Sequence, residues 1–281
     1  MKGKANNGDR NTAWYARCVS LAGITLLLVL WHLASLVYNP VVLPSPWATV
    51  SVLVTLTIEG QVIPTALITT AHALGGFGLA ALPGSMLGIA AGINLWVRWL
   101  VWPVVTIFQG IPPIAWIVLA LLWFGMGGGT PVFTVAVATL PIVFVGALEG
   151  TRTVDHTLLE MAYVFRIPRR MLISDIYLPH LLSYLFPVII AGLGIAWKVA
   201  LMAELLAANS GIGAKLGMAR INLDTAAAMA WIAVAVLLMF TFEYVVLHPL
   251  KRWLEPWRQP APLMDMPVDR MNHVVRSELV R

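Results

Sequence analysis

Charged residues are scarce in this chain of 281 residues. Asp, Glu, Lys and Arg make up 11% of it, where an ordinary soluble domain carries about 25%. They are absent from residues 18–58, 60–97 and 99–148, and a helix needs only ~20 apolar residues to cross a bilayer. The composition excludes a disordered chain and a typical cytosolic enzyme, and it predicts a polytopic helical membrane protein.

Cysteine and catalytic motifs are also lacking. The single cysteine, Cys18, excludes an internal disulfide. The sequence has no G-x-x-x-x-G-K-[ST] phosphate loop, no H-E-x-x-H, no C-x-x-C and no G-x-S-x-G. We therefore predict no metal, no cofactor and no nucleophile in this chain, and we expect it not to hydrolyse ATP by itself.

Six membrane spans are the most economical partition of the apolar runs. They are predicted at about 19–38, within 66–93, within 102–124, and at about 131–148, 185–207 and 225–248. The first run has about twenty residues, longer than the 7–15 of a signal peptide, so we expect it to be retained. We expect Asp224 to cap the last span. The predicted organisation is an N-tail (1–18), a transmembrane domain (19–255) and a C-tail (256–281).

The distribution of cations predicts the orientation. With the N-terminus inside, the N-tail, the second and fourth connections and the C-tail carry fifteen Lys and Arg residues, whereas the opposite face carries only Lys215 and Arg220. Such an excess marks the cytoplasmic side. Both termini are predicted to be cytoplasmic, and the net charge of +5 then requires no nucleic-acid partner.

The connection at 149–184 is long for a membrane protein. Two short helices are predicted in it, at about 154–179. Asp155 is the expected cap of the first helix, and Pro168 is expected to be the first residue of the second, which should end before Pro179. The first helix has apolar residues at helical spacing: Leu158, Met161, Ala162 and Phe165. Such a pair could fit a groove in a cytoplasmic partner or lie on the lipid surface.

At this loop the sequence resembles a known family. The segment E-M-A-Y-V-F-R at 160–166, continuing to I-Y-L-P at 176–179, is similar to the EAA loop of ABC importer permeases, E-A-A, three residues, G, nine residues, I-x-L-P. Met161 replaces an Ala, and Arg166 replaces the Gly that permits the turn. We expect Arg166 to form this turn with ordinary backbone angles. The residues that the resemblance assigns to ATPase coupling are Glu160, Met161, Ala162, Arg166, Ile176, Leu178 and Pro179.

Further segments resemble the nitrate, sulfonate and taurine subfamily of these permeases. They are L-P-S-P at 43–46, G-I-P-P-I-A-W at 110–116, W-F-G at 123–125 and A-E-L at 203–205. The resemblance implies an all-α, type I importer permease in the bacterial inner membrane. It also implies a second permease copy in a homodimer, separate ATPase subunits that bind ATP and Mg²⁺, and an external solute-binding protein. The implied solute is a small anion such as a sulfonate, taurine or nitrate, or alternatively a pyrimidine-type vitamin precursor.

Two ionisable residues fall within the predicted fifth span. Lys198 lies some 20 Å into it at ~1.5 Å per residue, and an ionisable group there costs roughly 2.5–3.5 kcal/mol. We predict that Lys198 lines the translocation path, next to Trp197; a buried ion pair or a side chain reaching the outer face are the alternatives. Glu204 lies about 120° from Lys198 around the axis, so we expect each to find another partner, such as the second subunit. A gate and a structural anchor are equally compatible with Glu204.

The sequence also shows a helix break in the third span and clusters of glycine in the second. Gln109, Pro112 and Pro113 interrupt the third span, and Trp116 follows; these four are predicted to line the path, a plain kink being the alternative. Glycines at 75–78 and 84–88 permit close helix packing. His72 is expected to be a hydrogen-bond partner between helices.

Two functions of other classes stay open. A gradient-driven secondary transporter would show inverted repeats, which we do not find, and would leave the EAA-like loop without a purpose. An intramembrane enzyme would need a polar catalytic pair at one depth, and Lys198 and Glu204 point apart.

Overall fold

The structure, a computed structural model, describes residues 7–154, 156–247 and 249, and within them the regular structure is helical without strands. The chain divides into residues 1–240 and a second unit from 241 onward; the bundle described below lies in the first. The helices are α1 (Asn7–Val37), α2 (Pro46–Ile58), α3 (Val62–Ile93), α4 (Leu95–Gly110), α5 (Pro113–Phe124), α6 (Gly129–Arg152), α7 (His156–Val164), α8 (Arg169–Leu172), α9 (Leu178–Ala207), α10 (Ile212–Ile221) and α11 (Thr225–Phe242), with π-helical turns at Ile173–Tyr177 and Glu243–Leu247.

Four helical segments of the described chain are long and apolar enough to cross a membrane, or five if α4 and α5 form one span. They are Val62–Ile93, Gly129–Arg152, Arg169–Ala207 and Thr225–Val245. The predicted first span lies in α1, whose apolar part, Ala22–Val37, is shorter. The multi-span helical architecture is therefore confirmed, while the count of six stays a prediction.

The centre of the bundle is formed by α3, α6 and α9. A Cβ added at Gly76 would meet Val132 and Val135 of α6, and one at Gly92 would meet Thr151, so α3 and α6 run in the same direction. Gly146 of α6 packs on Val188, whereas Gly150 packs on Tyr184, so α9 runs antiparallel to α6. We call the two ends of this bundle the α7 end, where α6 finishes and α9 begins, and the α10 end, where α9 finishes.

The predicted third span is not one helix. Its α4 and α5 portions meet at an angle of 97°, because Ile111 and Pro112 are extended at the junction and Pro113 can only begin a helix there. Buried Val105 of α4 packs with Ala91 and Leu148 near the finishing ends of α3 and α6. The helix α4 therefore stays at the α7 end, and α5 alone continues toward the α10 end.

The second loop helix was predicted to end before Pro179, and this is wrong. The chain stays helical from Arg169 to Ala207, so the loop helix and the fifth span form one long helix. A proline normally clashes with the carbonyl four residues earlier. Here the π-helical turn Ile173–Tyr177, in which the Leu178 N–H donates to the Ile173 carbonyl, widens the backbone just before Pro179 and lets the helix continue.

Two short helices outside the predicted spans were not expected. Ser45 caps α2 by accepting a hydrogen bond from the Ala48 N–H at 3.2 Å, and Pro46 begins it. The other is α10, which starts at Ile212 directly after Gly211. The predicted cap of α11 is confirmed, because the Asp224 carboxylate accepts from the Ala227 N–H at 2.9 Å.

Candidate translocation site and coupling surface

The buried carboxylate of Glu204 is the best-connected polar group in the described bundle. Its side chain is fully buried. One oxygen lies 2.7 Å from Nδ1 of His72, and the other accepts hydrogen bonds from the Thr69 hydroxyl at 2.8 Å and the Gly213 N–H at 3.0 Å. Three elements thus meet at one carboxylate, α3, α9 and the start of α10, and the partners that we expected in a second subunit lie within this chain.

Thr69 extends this network to the first residue of α10. Its hydroxyl oxygen accepts a hydrogen bond from the Ile212 N–H at 2.8 Å while its proton goes to Glu204. The first N–H groups of a helix have no partner within the helix. Since Glu204 and Thr69 satisfy two of these groups in a buried site, they fix α10 against α3 and α9.

Glycines make room for this cluster. Gly211 has φ +100°, a conformation that side chains rarely adopt, and a Cβ there would overlap the Glu204 carboxylate. A Cβ at Gly128, in the turn before α6, would lie 2.8 Å from Nε2 of His72. The His72 ring is therefore held between the Glu204 carboxylate and the Gly128 backbone, which is the interhelical role expected for it. We call Thr69, His72, Glu204 and the Ile212 and Gly213 N–H groups the Glu204 cluster.

Lys198 lies on a different face of α9, as predicted. It is exposed on the surface of this chain, and among the described residues its ammonium makes no hydrogen bond or ion pair. Exposed residues recur at helical spacing above and below it. We call this set the α9 stripe: Ala191, Ile195, Lys198, Met202 and Leu206.

The two predicted tryptophans are buried rather than on this stripe. Trp197 is 2% exposed and packs inside the chain. Trp116 is 8% exposed, its ring meets Phe108 edge-on at 5.1 Å, and its indole N–H has no hydrogen-bond partner among the described residues.

The predicted helix break forms the edge of a cavity of about 590 Å³. Gln109, Pro113 and Trp116 line it, while Pro112 is exposed beside it. The opposite wall comes from α6 and α9 and includes Ile195 of the α9 stripe. Besides Gln109, the polar side chains that line the cavity include Glu149 and Tyr184, both at the α7 end. The cavity therefore has mostly apolar walls and adjoins the stripe one helical turn from Lys198.

The predicted coupling loop begins with α7, one residue after Asp155, which lies outside the described residues. Ala162 is buried, whereas Glu160 and Met161 are exposed. The outward apolar side chains of this helix, Met161, Tyr163, Val164 and Phe165, are between 52% and 85% exposed.

Arg166 adopts a conformation usually reserved for glycine. Its φ is +50°, whereas we expected ordinary backbone angles. The Arg166 N–H donates to the Tyr163 carbonyl and the Ile167 N–H to the Ala162 carbonyl, the paired bonds of a Schellman motif. The turn expected for Gly is therefore kept by Arg at a cost of roughly 1–2 kcal/mol. Pro168, expected as the first residue of the second helix, lies just before it as the N-cap.

The remaining loop residues lie at the start of the long helix. Ile176 is half-buried in the π-helical turn, and Leu178 and Pro179 are exposed in the first turn of α9. The part of the loop from Arg169 onward is therefore continuous with α9 in one helix.

Comparison with known families gives one match that covers most of the chain. Residues 84–259 match the model of the binding-protein-dependent transport system inner membrane component. The matched segment includes α5, α6, α9, α10 and the loop around α7.

Several transport permease proteins are similar to this chain over most of their length. The taurine transport system permease protein TauC of Escherichia coli (strain K12) is 30% identical over 83% of this chain and 86% of its own. The riboflavin transport system permease protein RibX of Chloroflexus aurantiacus is 30% identical over 83% and 88%. The putative aliphatic sulfonates transport permease protein SsuC of Bacillus subtilis is 31% identical over 79% and 80%.

The fold is also found in a solved structure. A chain of the MetNI methionine ABC transporter, in an inward-facing conformation, superposes with a TM-score of 0.54 at 17% identity, covering 68% of this chain and 92% of that one. At this identity the match describes the fold alone.

Proposed function

The chain belongs to the family of binding-protein-dependent transport system inner membrane components, and on that premise we propose that two copies form the path of an importer for a small organic anion. The copies meet across the α9 stripe, and Lys198 of each faces the path. The observation that carries this proposal is a lysine at membrane depth that is exposed and has no hydrogen-bond or ion-pair partner among the described residues.

The depth of Lys198 argues against a lipid-facing position. It lies nine residues before the end of α9 at Ala207, about 14 Å at ~1.5 Å per residue, near the middle of a ~30 Å hydrocarbon core. An ammonium facing lipid there costs roughly 2.5–3.5 kcal/mol. A water-filled path between two subunits removes that cost, because the ammonium stays hydrated until an anion binds.

The cavity beside the stripe supports this assignment. Its volume of about 590 Å³ is in the range of small-molecule sites, which are mostly apolar with few polar groups. A sulfonate-type solute has an anionic head and a small body. The head would pair with Lys198 while the body passes the apolar wall that includes Ile195 and Trp116. Taurine and aliphatic sulfonates, named for two of the relatives, have this chemistry, whereas riboflavin, named for the third, does not.

The α7 end supports a proposal for energy coupling. The exposed apolar residues of α7 would dock in a groove of a separate ATPase subunit, which supplies the ATP hydrolysis, and the helix that is continuous from Arg169 into α9 would carry the movement to the stripe. Under this proposal α7 and both termini would lie in the cytoplasm, and α2 and α10 would face the external solute-binding protein. No cofactor is required in this chain.

The coupling proposal predicts loss of the ATPase from a single changed contact. Phe165→Asp places a charge on a side chain that is 73% exposed and has little role in the fold. We expect the full chain, co-expressed with its ATPase and purified in detergent, to retain less than about a tenth of the ATPase, since burying an unpaired charge costs several kcal/mol. Met218→Asp, at a 61% exposed site on α10, is the matched control and should retain it.

Retention of the ATPase by the Phe165→Asp chain would contradict the coupling surface. Uptake in cells distinguishes an ATP-driven importer from a gradient-driven secondary transporter. ATP depletion should abolish it and an uncoupler should not, whereas a gradient-driven transporter would respond to the uncoupler.

The path proposal predicts a change in solute preference at Lys198. Lys198→Met keeps the length and removes the charge, so uptake of taurine or an alkane sulfonate in the assembled transporter should fall by about tenfold or more, the value of ~1.4 kcal/mol of lost ion pairing. Lys198→Arg should keep most of it. Met202→Lys, added to the Lys198→Met chain, puts a lysine one turn away on the stripe and tests whether a positive charge elsewhere on this face restores anion uptake. Equal anion uptake by the wild type and Lys198→Met would overturn the role of Lys198 and leave the ATPase coupling untouched.

A further inference from the structure

A second, smaller cavity lies at the α7 end, between α4 and α6. Its volume is about 240 Å³, and it is lined by Arg98, Trp99, Trp102, Pro103, Leu148 and Arg152. Neither the path along α9 nor the coupling surface on α7 uses these residues. The two arginines come from different helices, and both side chains line this cavity, whose walls are mostly apolar.

The positive charge of this cavity is only weakly compensated. Arg98 is half-buried and has no ion pair among the described residues. Arg152 has Glu149 at 3.9 Å, with both side chains nearly half exposed. A pair of that kind contributes about 0–1 kcal/mol, so it does not neutralise the site. Arginine is the side chain best suited to a phosphate, because its planar fork donates two parallel hydrogen bonds.

The surroundings of the cavity are those of a membrane surface. Trp99 lines the cavity and meets Trp96 edge-on at 5.2 Å, and tryptophan is favoured at the level of lipid headgroups. From Trp96 the exposed surface of α4 continues through apolar side chains. These are Leu100, Val104 and Ile107, between 49% and 75% exposed.

We propose that Arg98 and Arg152 hold the phosphate of an anionic phospholipid at the mouth of this cavity, with the acyl chains along the exposed apolar side of α4. A molecule with an anionic head joined to apolar chains matches both parts of this surface, and free phosphate matches only the first. Basic pockets between membrane helices bind lipid headgroups in this way. Since α4 turns away from α5 by 97°, such a lipid would hold α4 in the headgroup region of the leaflet at the α7 end.

The test measures lipids bound to the full-length chain, purified in a nonionic detergent, by native mass spectrometry. The probes are phosphatidylglycerol and, as the zwitterionic control, phosphatidylcholine with the same acyl chains. We expect the wild type to retain phosphatidylglycerol in preference. Arg98→Gln and Arg152→Gln should each reduce the preference by about fivefold, from the ~1 kcal/mol per cation seen at anionic membranes, and the double variant should remove it.

Two further variants keep the result interpretable. Arg98→Lys keeps the charge without the fork and should lose only part of the preference, even if Arg98→Gln does not fold. Arg220→Gln, at an exposed position on α10, is the matched control and should behave as the wild type.

Equal retention of both lipids by the wild type, or an unchanged preference in folded Arg98→Gln and Arg152→Gln, would overturn the site. Complete displacement of phosphatidylglycerol by millimolar inorganic phosphate would overturn the lipid as its source, because a free anion would then satisfy the two arginines without acyl chains.

Discussion

Replacement of Glu204 by Leu should destabilise the bundle by about 3 kcal/mol or more. The change leaves the Thr69 hydroxyl, the His72 ring and the Gly213 N–H buried without their acceptor, at about 1–3 kcal/mol for each unsatisfied group. We expect a lower midpoint in the thermal unfolding of the detergent-solubilised chain. Glu204→Gln, which keeps one acceptor oxygen, should lose about half as much.

The place where the Glu204→Leu chain loses protection shows whether Glu204 anchors α10 or stabilises the bundle in general. The Ile212 N–H donates to Thr69 and the Gly213 N–H donates to Glu204. Their amide hydrogens should therefore exchange faster with solvent in Glu204→Leu, while those of α6 stay protected. Protection of the Ile212 and Gly213 amides at wild-type level in Glu204→Leu would contradict the anchoring of α10 by this cluster.

Two threonines provide a matched pair for this prediction. Thr69 and Thr139 are both fully buried, and each hydroxyl lies near the carbonyl of the residue four positions earlier in its own helix. Only Thr69 also bonds Glu204 and Ile212. Thr69→Val should therefore destabilise by about 1–3 kcal/mol and Thr139→Val by less than ~1 kcal/mol; equal losses would show that the network adds nothing.

The sequence predicts most of the long spans because their signal is local. Long apolar runs mark α3, α6, α9 and α11, and Asp224 caps α11 as its position indicates. The helices α2 and α10 were missed because they are too short to span, although Ser45-Pro46 before α2 is a recognisable helix start. The break at 110–113 was visible in the sequence, but its 97° angle depends on where α4 finds a packing partner.

At the site, too, relations within one helix could be predicted from the sequence, whereas contacts between helices far apart in the chain could not. Helical spacing correctly separated Lys198 from Glu204, since both lie on one helix. It gave no means of finding the partners of Glu204, because His72 is 132 positions away and no periodicity links α3 to α9. Pro179 was misjudged for another reason: the π-helical turn that accommodates it is a backbone adjustment that side-chain pattern does not encode.

Glycines on one face of α3 allow it to pack closely on α6, whereas glycines on the other face do not contact α6. Substitutions on the two faces should therefore differ greatly in their effect on stability. A Cβ at Gly88 would lie 2.6 Å from Cβ of Ala147 and closer still to the Phe144 carbonyl. Ordinary van der Waals contact would require the two helices to separate by about 1 Å, and overpacking of this kind costs roughly 1–3 kcal/mol. We expect Gly88→Ala to lower the unfolding midpoint and Gly88→Leu to prevent assembly of the bundle.

Gly78 is the matched control on the same helix. A Cβ there meets nothing within 4 Å, so Gly78→Ala should be neutral or stabilising by up to ~1 kcal/mol, from the higher helix propensity of Ala, and Gly78→Leu should be tolerated. Equal effects at the two positions would mean that the helices separate freely. Because α3 carries Thr69 and His72 while α6 carries the wall of the larger cavity, separation at Gly88 should also reduce solute uptake in the assembled transporter, whereas Gly78→Leu should leave uptake unchanged.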